Sequence, residues 1–206
     1  MPDDVDIKPE RTRNRWGEGE RLRVEILDGA SRLLSELGGE DGLTIRGVAR
    51  AVGIAPASIY QHFTDRTALV QGLLDREHTR LRSLMLAADE AVPATDVVGR
   101  VHAQLYAYCD FAVDNPSHYR LVLGNGPRTS PDAPHPVLAD VIEVLTAAFA
   151  RCDEAGHTLR VPSERAAVMV FVGVYGRVAL LHSGPRGQDP QTLRPFIDEV
   201  VSLVFA

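Results

Sequence analysis

Between Thr44 and Arg66 the chain carries side chains suited to reading a nucleic acid. Gln61 offers an amide that can pair with an adenine edge, and Ser58 a hydroxyl that can bond a base or a phosphate. Thr44, Arg46, Tyr60 and Arg66 supply the hydroxyl and guanidinium groups that phosphate contacts use. Ala57, Ser58, Gln61 and His62 are expected on one exposed face, with Ile54 and Ile59 packed inward and the Tyr60 ring packed behind a surface hydroxyl. His62 reads as a residue of that face or of packing, because neither an acid nor a nucleophile accompanies it. Elsewhere the seven histidines are scattered. No His-Glu-x-x-His, Cys-x-x-Cys, Gly-x-Ser-x-Gly, P-loop or dinucleotide fingerprint occurs. The expectation is no enzyme activity, no metal and no cofactor.

Such a face needs a short helix held up to solvent, and the apolar periodicity supplies one. Leu22, Ile26, Ala30, Leu33, Leu34 and Leu37 predict a first helix, closed at Gly38-Gly39. Thr44 is a good N-cap for a short helix through Ile45, Val48, Ala49 and Val52, ended by Gly53. Residues 54–63 predict a second short helix with Pro56 at its start. Two short helices around a glycine turn over 44–63 form a helix-turn-helix, whose second helix can enter the major groove. Asp65 caps a longer helix to about Asp89, stopped by Pro93. Further helices are expected at about 96–113, from 115 to near 124, and at 137–155, 163–183 and within 191–205, with a loop at 124–136. Pro195 costs ~3 kcal/mol inside a helix, so the last one starts near Arg194 or kinks there. No alternating strand pattern appears. The fold class is therefore all-α. Residues 1–19 form an arm, 20–65 a helix-turn-helix domain, and 66–206 a linking helix and C-terminal domain.

Composition sets the frame. The 206 residues are 45% hydrophobic and 24% charged, the balance of a globular protein rather than a disordered one. A net charge of −6 disfavours nonspecific nucleic-acid binding, so any DNA contact must come from a local patch. Residues 1–82 are near neutral, with 13 basic and 14 acidic groups, whereas the remainder carries 9 and 14. Arg11, Arg13 and Arg15 could let the arm enter a minor groove, or it is a solvated tail. Cys109 and Cys152 form no framework and suggest reduced thiols in the cytoplasm. The richest apolar stretch, Ala166 to Leu181, is broken by Gly173, Gly176 and Arg177, and the first residues show no apolar leader. No membrane association is expected.

The wording over 43–69 is more specific than the pattern. Leu43-Thr44-Ile45-Arg46-Gly47-Val48-Ala49, Val52-Gly53-Ile54-Ala55, Ser58-Ile59-Tyr60-Gln61-His62-Phe63 and Asp65-Arg66-Thr67-Ala68-Leu69 resemble the tetracycline-repressor (TetR/AcrR) family of transcriptional regulators. A weaker echo is Asn115-Pro116-Ser117-His118-Tyr119-Arg120-Leu121, similar to one C-terminal subclass of that family. The resemblance implies about nine helices, homodimers through the last two long ones, double-stranded operator DNA as a partner, and a small-molecule effector that enters the bundle and shifts the linking helix. It implies a repressor, and DNA contacts by Thr44, Arg46, Pro56, Ala57, Ser58, Tyr60, Gln61, His62 and Arg66. Ala55 departs from the usual Ser or Thr cap, a loss of ~1 kcal/mol. Gly47 replaces a charged helix former, and Arg66 a lysine. Together these suggest a soft head.

In the C-terminal part His102, Tyr106 and Cys109 share a helix face, while Tyr175, Arg177 and His182 interrupt an apolar helix. Taken singly, each reads more simply as core. Together, His102, Tyr106, Cys109, Phe171 and Tyr175 are the candidates for a ligand pocket. The apolar helix over 163–183 and the segment with Phe196, Ile197, Val200, Val201, Leu203 and Val204 hold more apolar surface than one monomer hides, which points to a homodimer. The rival is a small-molecule-binding helical protein or enzyme with a vestigial head.

Overall fold

The structure, a computed structural model, describes residues 18–123, 136–183 and 189–206. The arm and the 124–136 loop lie outside them, save for residues 18, 19 and 136. Among the described residues there are nine α-helices: α1 (Glu18–Leu37), α2 (Ile45–Val52), α3 (Pro56–Ile59), α4 (Arg66–Glu90), α5 (Val97–Asp114), α6 (Pro116–Leu123), α7 (Pro136–Glu154), α8 (Ser163–Ser183) and α9 (Leu193–Ser202). The all-α expectation holds. The only strand-like pairing among the described residues is an isolated bridge between Leu159 and Phe205.

Local chemistry sets the boundaries. Thr44 Oγ1 accepts the Gly47 N–H at 3.0 Å, Asp65 Oδ1 that of Ala68 at 2.8 Å, and Asp96 Oδ1 that of Gly99 at 2.9 Å. Each cap satisfies a donor that the first helical turn cannot. Gly53 ends α2 at φ +78°, a left-handed conformation that a side chain would strain. Pro195 is the third residue of α9, where its missing N–H has no intrahelical acceptor to lose, so the helix starts at Leu193 with Pro195 in its first turn.

One expectation needs correction. The second short helix is not 54–63 but the single turn Pro56–Ile59. Ala55 gives it no side-chain cap. Past Ile59 the chain tightens into three-residue turns, with Gln61 N–H donating to Ser58 O at 3.3 Å and His62 N–H to Ile59 O at 2.9 Å. What holds this turn is burial. Ile59 is fully buried and Phe63 nearly so, among Ile26, Leu34, Leu43, Val48 and Leu69.

The helices α1, α2 and α3 form the head. α4 leaves it and packs along α5, while α5 meets α6, α7 and α9, and α7 pairs with α8. Leu73, Leu81, Met85, Val101, Leu105, Tyr108, Leu145 and Phe149 are fully buried along this axis. A second correction concerns α8. By length and composition it is apolar enough to cross a bilayer, despite the glycines expected to break it. Ala166, Ala167, Val170, Phe171, Val174 and Val178 nevertheless face the core.

Candidate nucleic-acid interface and the body cluster

The recognition turn presents its polar groups outward. Pro56, Ala57, Tyr60 and Gln61 are exposed, and Ser58 and His62 half-buried. Tyr60 is 56% exposed, so its ring is not packed as expected but stands in solvent. Ile59 is inward and Ile54 half-buried against the core, as anticipated. On α2, Arg46 and Arg50 are both exposed. They stand four residues apart on one helix face, where like charges repel. Among the described residues neither makes an ion pair with a carboxylate. Arg50 was missed by sequence reasoning, although its spacing from Arg46 was a usable signal.

Gly47 has a physical reason to be glycine. A Cβ there would lie 3.0 Å from Thr44 Oγ1 and 3.3 Å from Leu33 Cδ2. The small residue lets α1 and the Thr44 cap close on α2, so it tightens the head instead of softening it. Arg66 also serves the fold. Its Nε donates to Leu43 O at 2.7 Å, and its Nη2 to Glu40 O. The guanidinium thus clamps the loop ahead of α2 while the residue stays exposed. Arg23 lies 5.1 Å over the Phe63 ring and closes the other side of the head.

Four of the five pocket candidates separate into two places, and the fifth, Cys109, is buried. His102 and Tyr106 face α9. His102 Nδ1 meets Val98 O at 2.9 Å, its Nε2 lies 3.5 Å from Asp198, and the Tyr106 hydroxyl donates to the same carboxylate. Arg194 sits 4.8 Å over the Tyr106 ring. Partial burial and the Asp198 carboxylate push the Tyr106 hydroxyl up to about 12. Phe171 and Tyr175 lie instead in the body, ring to ring at 6.1 Å. Cys109 is buried, which raises its thiol to about 12 and leaves it unreactive.

Around Phe171 the structure assembles residues that were not singled out as pocket candidates. Tyr108 is fully buried, edge-on to Phe171 at 5.5 Å and to Tyr119 at 6.2 Å, with the two hydroxyls 3.2 Å apart. Tyr119 stacks on His182 at 5.1 Å. The Ala112 backbone lies close to the His182 ring. Its Nε2 is buried without a hydrogen-bond partner among the described residues. Desolvation lowers the His182 pKa, so the ring is neutral at pH 7. The signal for Tyr108 was its place on the apolar stripe Val101, Leu105, Tyr108, Ala112 of α5.

Elsewhere the body pairs its buried charges. Asp89 accepts from Gln104 Nε2 at 2.8 Å, lies 3.3 Å from Arg100, and is bonded by Arg151. No three metal-ligating side chains come together among the described residues.

Residues 26–73 match the family of bacterial regulatory proteins of the tetR type, and residues 101–204 match the tetracyclin repressor-like C-terminal domain. An uncharacterized HTH-type transcriptional regulator of Haemophilus influenzae is 32% identical over 111 residues, 54% of this chain and 53% of that protein. The chain therefore spans about half the length of that curated relative. A Rhodococcus sp. RHA1 protein of unknown function superposes with a TM-score of 0.75 at 24% identity, over 96% of this chain and all of that one. SmeT, repressor of the Stenotrophomonas maltophilia multidrug efflux pump SmeDEF, gives 0.68 at 18% identity over 89% and 90% of the two chains. At such identities the likeness is one of fold. Since the C-terminal domain match alone takes in half of the chain, and the N-terminal match runs from α1 into α4, the chain belongs to the tetR family of bacterial regulatory proteins.

Proposed function

We propose that the chain is a ligand-responsive repressor that binds a palindromic operator as a homodimer and is released by a small-molecule inducer. The observation that carries the reading is the exposed polar face of the recognition turn beside two arginines without carboxylate partners among the described residues. Gln61, Ser58, Ala57 and Tyr60 meet base edges and sugar–phosphate, with Pro56 and His62 at the rim. Thr44, Arg46 and Arg50 take phosphates. Arg66 acts through the loop it clamps. Residues 20–65 are the head and 66–206 the linking helix and effector domain.

Dimerisation uses α8 and α9. Val168, Met169, Val172 and Leu180 of α8, with Leu203 just after α9, are 41–71% exposed and offer an apolar face. Gly173 is already filled by Val200 of α9 at 3.5 Å, while Gly176 has open space beyond it, enough for a close helix from a second copy. An isologous contact there buries the face. The effector acts on the body at Phe171 and Tyr175, beside Tyr108, Tyr119 and His182. His102 and Tyr106 belong to the α5–α9 seam.

The test is selection from a random duplex library by the purified protein. A two-fold symmetric motif lost in Gln61→Ala supports the reading. No enrichment, with a ligand-induced thermal shift retained, would instead mark a small-molecule binder with a vestigial head.

A further inference from the structure

Where α5 begins, α9 and the connection between α7 and α8 leave a groove of about 500 Å³, the size of a small-molecule site. Val98 and His102 of α5, Asp198 and Val201 of α9, and Arg160 and Phe205 are among its lining. None of the lining comes from α1–α4 or α8, so the groove is distinct from the head and from the Phe171 cluster of the body. It carries two opposite charges, each aimed by a second group. On one side the backbone fixes Arg160: its N–H donates to Val204 O at 2.9 Å, and the Ala206 N–H to Thr158 O at 2.9 Å. The Arg160 Nε donates to Phe205 O, and its two terminal nitrogens have no partner among the described residues. On the other side Asp198 Oδ1 accepts from the Tyr106 hydroxyl, while Oδ2 has no partner among the described residues. Arg194, on the same helix, pairs with Asp110 instead. Arg160 and Asp198 do not reach each other within ion-pair distance.

His102 shows what the acidic side lacks. The Val98 carbonyl can only accept, so His102 Nδ1 carries a proton and donates to it at 2.9 Å. A ring with that one proton turns a bare Nε2 towards Asp198 Oδ1, 3.5 Å away. Two acceptors then face each other with no donor between them. An ammonium group brings three N–H donors and a positive charge, and satisfies both. Opposite, the free guanidinium nitrogens match the two oxygens of a carboxylate. Val98, Val201 and Phe205 supply apolar surface for the carbons between the two charges. We propose that this groove binds a small zwitterion, an amino carboxylate with an apolar segment, its ammonium on Asp198 and His102 and its carboxylate on Arg160. Bound there, the molecule ties α5 and α9 to the connection between α7 and α8. The site is additional to the effector region proposed above and stands or falls apart from it.

The experiment is calorimetric titration of the full-length protein at neutral pH with two zwitterions of different charge separation, each beside its single-charge counterparts. L-leucine is compared with 4-methylpentanoate and 3-methylbutylamine, and 6-aminohexanoate with hexanoate and hexylamine. At least one zwitterion is expected to bind, roughly tenfold or more tighter than its acid or its amine, the worth of one hydrogen bond to a charged group. Arg160→Gln is expected to weaken the zwitterion and the acid but not the amine. Asp198→Asn is expected to weaken the zwitterion and the amine but not the acid. Both residues are exposed, so the variants are expected to keep the thermal midpoint of the parent protein, which separates lost binding from lost fold. The inference is overturned if neither zwitterion binds at about 10 mM, if the acid alone binds as tightly as the zwitterion, or if binding survives Arg160→Gln. Binding that survives Arg160→Gln and is lost in Tyr175→Leu would belong to the body cluster, supporting the effector region and overturning this site.

Discussion

The head and the body use polar side chains in opposite ways. In the body the buried carboxylates and tyrosine hydroxyls are paired: Asp89 gathers Gln104, Arg100 and Arg151, Tyr108 meets Tyr119, and Glu77 is enclosed by Ser31, His118 and Arg80. At the recognition turn the polar side chains are exposed or half-buried, on one turn of helix without a side-chain cap that is held from beneath by Ile59 and Phe63. The lesson is that the body's polar groups determine its own stability and register. Those of the recognition turn add little to stability and are free to meet something else.

Perturbations sharpen this contrast in descending order. Asp89→Ala leaves two arginines and a glutamine without their buried acceptor. It is expected to destabilise the protein by ~3–5 kcal/mol in urea unfolding, since breaking a buried ion pair strands its partners. A loss below 1 kcal/mol would remove the contrast. Gln61→Ala is expected to weaken binding to a selected duplex by ~1–3 kcal/mol while unfolding stability stays within ~0.5 kcal/mol. Matched losses in both would show the turn to be structural. Thr44→Ala should cost ~1 kcal/mol of stability through the lost cap, and Ala55→Ser should restore a few tenths to ~1 kcal/mol at α3, both read from denaturant midpoints.

The gentlest perturbation needs no substitution. Burial lowers the folded-state pKa of His118 and of His182 below 6.5. Below about that pH the unfolded chain takes up protons that the folded chain refuses, so stability is present above 6.5 and is lost as pH falls towards the folded values. A thermal midpoint that falls between pH 7.5 and 5.5, and falls less in His118→Asn, is the expected result. A midpoint that rises on acidification would overturn it.

What was legible in the sequence was local. Thr44, Gly53 and Asp65 mark helix ends because a cap involves residues only three or four apart. Pro195 fixes the start of α9 for the same reason. The length of α3 was not legible, because the residues that follow it are helix-compatible and only the tertiary fit of Ile59 and Phe63 cuts it short. In the candidate interface, Arg66 looked like a phosphate ligand because its partners, the Leu43 and Glu40 carbonyls, carry no side-chain signature. In the body, His102 and Tyr106 shared a face as expected, yet that face meets α9. Tyr108 lay on the stripe two residues away, turned to the centre. α5 is apolar on more than one side, so periodicity alone could not choose between them. The contact of His118 with Glu77 spans 41 positions along the chain and is visible only once folded.

Arg66 has one more consequence, in the ionic-strength dependence of operator binding. Each cation that replaces condensed counterions on a duplex steepens the decline of log K with log salt by about 0.9. A head whose Arg66 holds backbone carbonyls displaces one counterion fewer than a head that extends that arginine to a phosphate. If the proposed dimer sits on a palindrome, the slope is shallower by about two, and occupancy would fall less steeply with salt than for a reader that places the same arginine on a phosphate.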